Sequence, residues 1–364
     1  MKFGVTVAPR ISDWKLFVDL EAMGYDCAWA ADSQMLYSDA YAVLALAAAN
    51  TSRIRLGTGV SVAGVRLAPV TAHSIASINK LAPGRVFLGL GTGHTAMRVM
   101  GKDPMKAGAF REYLRVLRAL LHGEEIDYTL DSTASGERHA IRFLHADRGF
   151  IDVEHPVPVY VAADGPLALK AAGAYGDGRV CSHNQTRARL QKSLDVMREG
   201  AAVIGRALPD DFHTAALTYA CVLRPGESLA SDRVIDEIGP MAAATLHYWW
   251  ELYQKDGDTS TVAGRCRNLW DEYLAFTEKM EVPLARRYQQ VHFGHCAFLP
   301  PEERRFITED LIRATGGLVG TPDEILAMLR DRAAMGLNEV TLLPAMDHAR
   351  RNLRDFAEQV IARY

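Results

Sequence analysis

Three polar side chains follow apolar, strand-like runs and are the first candidates for chemistry. His94 comes after the alternating glycines of residues 85–98, RVFLGLGTGHTAMR, and an imidazole changes its protonation near neutral pH. We predict that His94 donates a proton or binds a cofactor, although a histidine whose bonds are satisfied in the core has the same pattern. Asp32, in WAADSQ, is the second candidate, and His183, at the end of GRVCSH, is the third.

Glycines recur at every second position in two of these runs. The glycines of residues 89–93 would share one face of a strand, and those of residues 57–59 repeat the pattern in LGTGV. A face without side chains lets a flat ligand lie against the backbone, but it also suits tight packing, and both interpretations stay open. A dinucleotide-binding loop is excluded, because G-x-G-x-x-G needs glycine where His94 stands. A methyltransferase strand fits the glycines better, but it is expected at the start of its domain.

Strand-like runs alternate with helical patterns along almost the whole chain, which is typical of parallel βα units. The runs are residues 2–8, 25–31, 53–60, 85–91, 157–163, 178–183, 214–223 and 338–344. Eight such units predict an α/β protein, a TIM (β/α)8 barrel formed as a single domain over residues 1–364. Insertions are predicted after strand four, at 123–156, and after strand seven, at 225–320. Both follow the carboxyl ends of strands, where barrel active sites lie, so we expect them to wall the pocket.

Capping residues predict several helix boundaries. We expect Gly24 to end the first helix, and Ser38 to be the N-cap of an alanine-rich helix that ends at Asn50. Thr321 as N-cap with Pro322 in the first helical position predicts the start of the helix before strand eight.

Charge and hydropathy exclude several classes of partner. The 364 residues carry 41 Lys and Arg against 44 Asp and Glu, without a basic cluster, so nucleic acid and anionic membranes are not expected partners. No apolar stretch reaches the length of a membrane span, and the N-terminal apolar run is too short for a secretory signal. We predict a cytoplasmic protein that acts on a small molecule.

No pattern of metal ligands stands out. The five cysteines are far apart and are interpreted as structural thiols. His292 and His295 have i, i+3 spacing but no third ligand in register, so no metal is predicted. An aromatic segment in the second insertion is expected either to form a lid over substrate or to pack as an ordinary helix face. Its members are His247, Trp249, Trp250 and Tyr253.

Several motifs, in order and at characteristic spacing, together resemble the luciferase-like monooxygenase superfamily, which includes bacterial luciferase and methylenetetrahydromethanopterin reductase. They are FGVTVAP, EAMGYDCAWAAD, TSRIRLGTGV, APGRVFLGLGTG, FREYLRVLRALLHGEEIDY, VPVYVAADGPLALKAAGAYGDG and VGTPDEILAMLRDRAAMGLNEVTLLP. The resemblance covers roughly residues 1–205 and 316–364. Residues 225–315, where such families vary with substrate, lie outside it.

The resemblance implies that reduced FMN, or the deazaflavin coenzyme F420, lies across the carboxyl end of the barrel. It also implies a non-prolyl cis peptide within Gly57–Val60, and a cofactor phosphate at the helix that follows strand five, where free N–H groups bind anions. Asp164 is interpreted as the N-cap there or as a hydroxyl partner. Relatives often have lysine where this chain has Leu167, which mildly favours FMN. The implied cofactor-binding residues are Gly57, Thr58, Gly59, Val60, Gly91, Thr92, Gly93, Ala163, Asp164, Gly165 and Pro166.

From this resemblance we expect a flavin-dependent monooxygenase that uses O2 and FMNH2 supplied by a separate reductase. Such a reaction needs a site that excludes water and positions the substrate, and the flavin supplies the reactive centre. The alternative is an F420-dependent dehydrogenase or reductase that transfers hydride. A non-catalytic flavin-binding barrel is a weaker alternative. The resemblance also implies a homodimer.

Overall fold

Eight parallel strands close into a barrel, which confirms the predicted TIM-barrel fold. The computed structural model describes residues 1–129, 138–182 and 185–364. The strands within these residues are β1 Lys2–Val7, β2 Cys27–Ala30, β3 Arg55–Val62, β4 Val86–Gly91, β5 Ile126–Tyr128, β6 His139–Ile141, β7 Val159–Ala162, β8 Gly178–Ser182, β9 His213–Thr218, β10 Ala220–Val222, β11 Leu318–Gly320 and β12 Glu339–Leu342. Around the barrel the order is β1-β12-β9-β8-β7-β4-β3-β2.

Helices follow most of the barrel strands, as parallel crossovers require. In the described residues they are α1 Leu16–Met23, α2 Ala40–Asn50, α3 Ala68–Leu81, α4 His94–Val99, α5 Ala107–Leu121, α6 Pro166–Tyr175, α7 Arg187–Ala202, α8 Asp232–Asp256, α9 Arg267–Glu278, α10 Leu284–Val291, α11 Glu309–Thr315, α12 Pro322–Met335 and α13 Ala349–Gln359. No helix of the described residues has the length and apolarity that crossing a bilayer requires.

Two predicted boundaries are wrong. Strand seven does not run unbroken over 214–223: β9 ends at Thr218, and β10 pairs instead with β11 in a separate parallel sheet. The N-cap of α2 is Asp39 rather than Ser38, because the Asp39 side chain accepts a hydrogen bond from the Ala42 N–H at 2.9 Å. Thr321 does cap α12 as predicted, and its N–H donates in return to Glu324 at 2.7 Å.

The chain forms two compact units. The first comprises residues 1–216 and 335–341, and the second comprises 217–334 and 342–364. The predicted first insertion contributes the antiparallel pair β5–β6 to the first unit. The predicted second insertion lies in the second unit, which begins earlier than expected, at Leu217.

A buried carboxylate organises the interior of the first unit. Glu339 has no exposed surface, and it accepts hydrogen bonds from Trp29 Nε1 at 2.7 Å and Cys27 Sγ at 3.5 Å. His213 Nε2 lies 3.0 Å from the same side chain. Because buried charge is costly without partners, these bonds hold β2 and β9 to β12.

Candidate active site

The predicted site residues that the structure describes lie on, or shortly after, four strands of the first unit. β2, β3, β4 and β7 are consecutive around the barrel. Parallel neighbours end at the same edge, so the residues that follow these strands come together at the carboxyl face, where barrel active sites lie. The structure therefore brings Asp32, Val60, Gly91 and Ala163 to one end of the barrel.

Asp32 is buried at the end of β2, with 5% of its surface exposed and both carboxylate oxygens engaged. Gln34 Nε2 donates to one oxygen at 2.6 Å, and Ser61 Oγ and Arg66 Nη1 donate to the other at 2.9 and 2.8 Å. Burial raises the pKa of Asp32, and the charge of Arg66 partly opposes that rise. The geometry favours a positioning role for Asp32, and its catalytic role stays a prediction.

Arg66 is the partner of Asp32 that the sequence analysis missed. Its guanidinium also pairs with Asp39 at 2.9 Å and lies 4.6 Å from the centre of the Tyr41 ring. Arg66 thus joins the segment after β3 to the end of β2 and to the start of α2. The Tyr41 hydroxyl adds a second link, because it lies 2.8 Å from Ser61 Oγ on β3. An arginine within the apolar stretch VAGVRLAP was the available signal.

The end of β3 contains the irregularity that the resemblance implied. The peptide bond between Gly59 and Val60 is cis, and the register with β4 shifts between Thr58 and Ser61. Thr58 Oγ1 donates to the Gly89 carbonyl at 2.6 Å, which holds β3 against β4 beside the shift.

The glycines of β3 serve close packing, which is one of the two interpretations that the sequence left open. A Cβ on Gly57 would collide with the Phe87 ring, and one on Gly59 would lie 2.6 Å from the Cβ of Trp29. The protein's own side chains therefore occupy the space. Gly91, nearest the carboxyl end, is different, because a Cβ there would only contact Val60 at 3.1 Å and a neighbouring alanine. The roles predicted for these glycines in cofactor binding stay predictions.

His94 is exposed at the carboxyl end of β4, where it is the first residue of α4. It is preceded by Gly93 at φ +80°, where a Cβ would collide with Val62 and crowd Met97, so only glycine suits the turn. The structure thus places His94 within reach of a ligand rather than in the core. His183 lies outside the described residues, and its predicted role stays a prediction.

The segment after β7 forms an open helix N-terminus. Gly165 is the N-cap of α6 without a side-chain cap, so the prediction of Asp164 as N-cap is wrong. Leu169 N–H makes the first helical bond, to the Gly165 carbonyl at 2.9 Å, which leaves the N–H groups of Leu167 and Ala168 without partners inside the helix. Apart from its chain neighbours, no atom of the described residues lies within 4 Å of a Cβ built on Gly165, so these residues leave the space beside it open.

Two arginines adjoin this segment, and neither was predicted. Arg179, on β8, is 1% exposed and donates from Nε to the Ala163 carbonyl at 2.7 Å and from Nη2 to Asp164 at 2.8 Å. Its Nη1 is buried without a hydrogen-bond partner within the described part of the chain. Arg189 Nη2 lies 4.0 Å from the Asp164 carboxylate. Two cations and a helix N-terminus around one carboxylate can bind an anion. A charged residue inside the buried run GRVCSH was the available signal.

A cavity of about 610 Å³ opens beside the segments that follow β3 and β4. Val65, Leu67 and Met105 give it an apolar lining, and Tyr113 borders it from α5. Tyr128, from the first insertion, lines it as well, so this insertion walls a cavity at the carboxyl face.

The aromatic segment of the second insertion packs in the core of the second unit. Trp249 and Trp250 are each 4% exposed, which favours the interpretation as an ordinary helix face over that of a lid. His247 Nε2 lies 3.1 Å from Glu303, and His292 pairs with Glu251 on α8. Within the described ranges, no three His, Cys, Asp or Glu side chains are placed to hold a metal ion.

Comparison with known proteins identifies relatives along nearly the whole chain. A family model described as luciferase-like monooxygenase matches residues 14–339. An F420-dependent glucose-6-phosphate dehydrogenase of Kineococcus radiotolerans is 33% identical over 313 residues, covering 80% of this chain and 88% of that enzyme. The 5,10-methylenetetrahydromethanopterin reductase of Methanolobus tindarius is 32% identical over 228 residues, covering 61% and 65%. A glucose-6-phosphate dehydrogenase of the same kind from Beutenbergia cavernae is 37% identical, but the match spans 46% of this chain and 49% of that enzyme.

Solved structures share the fold. The coenzyme F420-dependent tetrahydromethanopterin reductase of Methanopyrus kandleri superposes with a TM-score of 0.66 at 21% identity, covering 99% of this chain and 98% of that one. The oxygenating constituent of a type II Baeyer–Villiger monooxygenase from Pseudomonas putida, in complex with FMN, superposes with a TM-score of 0.63 at 15% identity, covering 99% and 97%. At these identities the likeness concerns the fold alone.

Proposed function

The chain belongs to the luciferase-like monooxygenase family, and from this premise we propose that it is an F420-dependent oxidoreductase that transfers hydride to or from a small organic substrate. The observation that carries the proposal is the match to the Kineococcus F420-dependent dehydrogenase, at 33% identity over 88% of that enzyme. The alternative of the sequence analysis thus has better support than an FMN-dependent monooxygenase, for which the comparisons offer the family description and the fold.

The residues at the carboxyl face fit the phosphate of such a cofactor. The open N-terminus of α6 and the space beside Gly165 would receive it, and Arg179 has a buried nitrogen without a partner beside the same segment, within the described residues. When bound, F420 supplies a hydride acceptor or donor that needs no oxygen. Gly91, Val60 and the cis peptide before Val60 would lie along its ring.

The chain's own residues would supply proton transfer and position the substrate. Oxidation of an alcohol to a carbonyl sends the hydride to the cofactor and the hydroxyl proton to a base. His94 is exposed at the carboxyl end of β4 and is the group we assign as that base. Asp32 and Arg66, whose pair spans the ends of β2 and β3, would hold these strand ends in place.

Titration of the purified protein with oxidised F420 and oxidised FMN, followed by fluorescence, tests the proposal. We expect F420 to bind more tightly. Anaerobic incubation with F420 and glucose 6-phosphate or a secondary alcohol should then bleach the oxidised deazaflavin in at least one case, and His94→Ala should slow the bleaching while F420 still binds. Binding of FMN alone, with an oxygenated product formed when reduced FMN and oxygen are supplied, would support the monooxygenase instead. Homodimerisation and a separate flavin reductase stay predictions.

A further inference from the structure

We propose that Asp164 shifts the anion site at the start of α6 away from doubly charged phosphomonoesters, such as FMN, and toward singly charged phosphodiesters, such as F420. This inference rests on the proposed function for its biological meaning. Its physical basis is the charge around residues 163–166, which can be tested with any phosphate ligand.

The site combines a helix N-terminus with a buried cation that is only partly used. α6 has ten residues and no side-chain cap, and its dipole is equivalent to about half a positive charge at that end. Arg179 is 1% exposed, and two of its three nitrogens bond Ala163 and Asp164. Its third nitrogen, Nη1, has no partner in the described residues, which independently indicates a polar ligand beside this segment.

Asp164 removes about one positive charge from this site. Its carboxylate is half exposed and lies between two cations, 2.8 Å from Arg179 Nη2 and 4.0 Å from Arg189 Nη2. With Asp164 the formal charges of the three side chains sum to plus one, and without it they sum to plus two. A ligand phosphate at the start of α6 therefore meets a field that this carboxylate weakens.

The amide donors at the start of α6 can bind a phosphodiester. Proline occupies the first position of α6 and has no N–H, so Leu167 and Ala168 provide the free helical amides. Two amides can meet the two non-bridging oxygens of a phosphodiester. A phosphomonoester has a third non-bridging oxygen, for which Arg179 Nη1 is the donor at hand, so the discrimination that we propose rests on charge.

The dependence of binding energy on ligand charge predicts how strongly each ligand should respond to a change at Asp164. Coulomb energy is proportional to the charge of the ligand, so a change in site charge acts twice as strongly, in free energy, on a dianion as on a monoanion. The fold-change in affinity for the dianion is then the square of that for the monoanion. Replacement of Asp164 by asparagine should tighten a phosphodiester about threefold and a phosphomonoester about tenfold at low ionic strength.

The test uses FMN and its phosphate methyl ester, which share one ring and differ by one charge, with F420 as a third ligand. Dissociation constants are measured by fluorescence titration for wild type, Asp164→Asn and Arg189→Gln. Asp195→Asn is the control, because Asp195 forms an exposed pair with Arg198 at 2.7 Å on α7. Arg189 is half exposed, and its replacement by glutamine removes one positive charge from the site. Arg189→Gln should therefore give the same square relation with the opposite sign. This variant keeps the test available if Asp164→Asn prevents the protein from folding by removing the partner of Arg179.

A larger shift for FMN than for its methyl ester, in opposite directions in the two variants and absent in Asp195→Asn, supports the proposal. Equal shifts for both ligands, or none, overturn it and mean that Asp164 only positions Arg179. Failure of wild type to bind F420 overturns the proposed function, while the comparison between FMN and its ester still decides the role of Asp164.

Discussion

Replacing Arg66 by methionine removes the cation that faces the buried carboxylate of Asp32. The two groups lie 2.8 Å apart, and the side chain of Asp32 is 2% exposed. Loss of one partner of a buried ion pair typically costs about 3–5 kcal/mol. Because Ser61 and Gln34 still donate to Asp32, we expect the lower part of that range, a loss of about 3 kcal/mol in the free energy of unfolding near pH 8.

The stability lost in Arg66→Met should increase as the pH rises. Burial raises the pKa of Asp32 above its value in the unfolded chain, and Arg66 is the largest opposing influence. A group with a raised pKa contributes stability below its unfolded pKa and loses that contribution as the pH rises through the folded pKa. The variant raises the folded pKa further. The difference in the free energy of unfolding between wild type and variant should therefore be small at about pH 4. As the pH rises, it should grow by at most about 1.4 kcal/mol per pH unit.

Urea unfolding of wild type, Arg66→Met and Arg198→Met at several pH values measures the effect. Arg198 pairs with Asp195 on the surface, so its replacement should cost less than about 1 kcal/mol at every pH. An Arg66→Met loss that equals the Arg198→Met loss, or that does not grow as the pH rises, would refute the reasoning and mean that the remaining donors suffice for Asp32.

His94→Ala is expected to lower turnover at least tenfold, or about 1.4 kcal/mol, in steady-state kinetics while F420 still binds, and unchanged turnover would discard its assignment as the base. Although burial raises the pKa of Glu21, bonds from the N–H groups of residues 52–54 lower it to about 2. The ionised Glu21 therefore stabilises the fold above its unfolded pKa, and this contribution is lost as the pH falls toward 2. After discounting for the exposure of the side chain, Glu21→Gln should lower the free energy of unfolding by about 1 kcal/mol near pH 7 and by less on acidification, as measured by urea unfolding. Gly173→Ala should lower stability by about 1–3 kcal/mol in thermal melts, because its Cβ would collide with the backbone of α7. Gly108→Ala on α5 should not, because among the described residues only its chain neighbours and its own helix come near the added Cβ.

The barrel could be predicted from the sequence because its signal is local and repeated. Each strand run is apolar and alternates with a helical pattern, so eight units can be counted without any knowledge of contacts. The end of strand seven could not be predicted, since TAALTYACVL reads as one apolar run and the switch at Tyr219 depends on pairing with residues 318–320.

The site was predicted less completely, because its details depend on long-range neighbours. Glycine alternation on a strand is the same whether the space beside it holds a ligand or a ring from another strand, and here Trp29 and Phe87 take much of it. Similarly, the missing lysine after Gly165 favoured FMN, whereas Arg179, on the next strand of the barrel, supplies positive charge from a position that the sequence does not relate to that loop.

The short parallel pair of β10 and β11 brings together the two ends of residues 223–317. Ala220 lies beside Leu318 and Val222 beside Gly320, so the chain departs and returns within one pair of three-residue strands. Glu237, on α8, also accepts hydrogen bonds from Arg351 at 3.0 Å and Asn352 at 2.9 Å on α13. Directed evolution of this chain toward new substrates can therefore recombine the segment at one junction, provided that the new fragment keeps a carboxylate that meets α13.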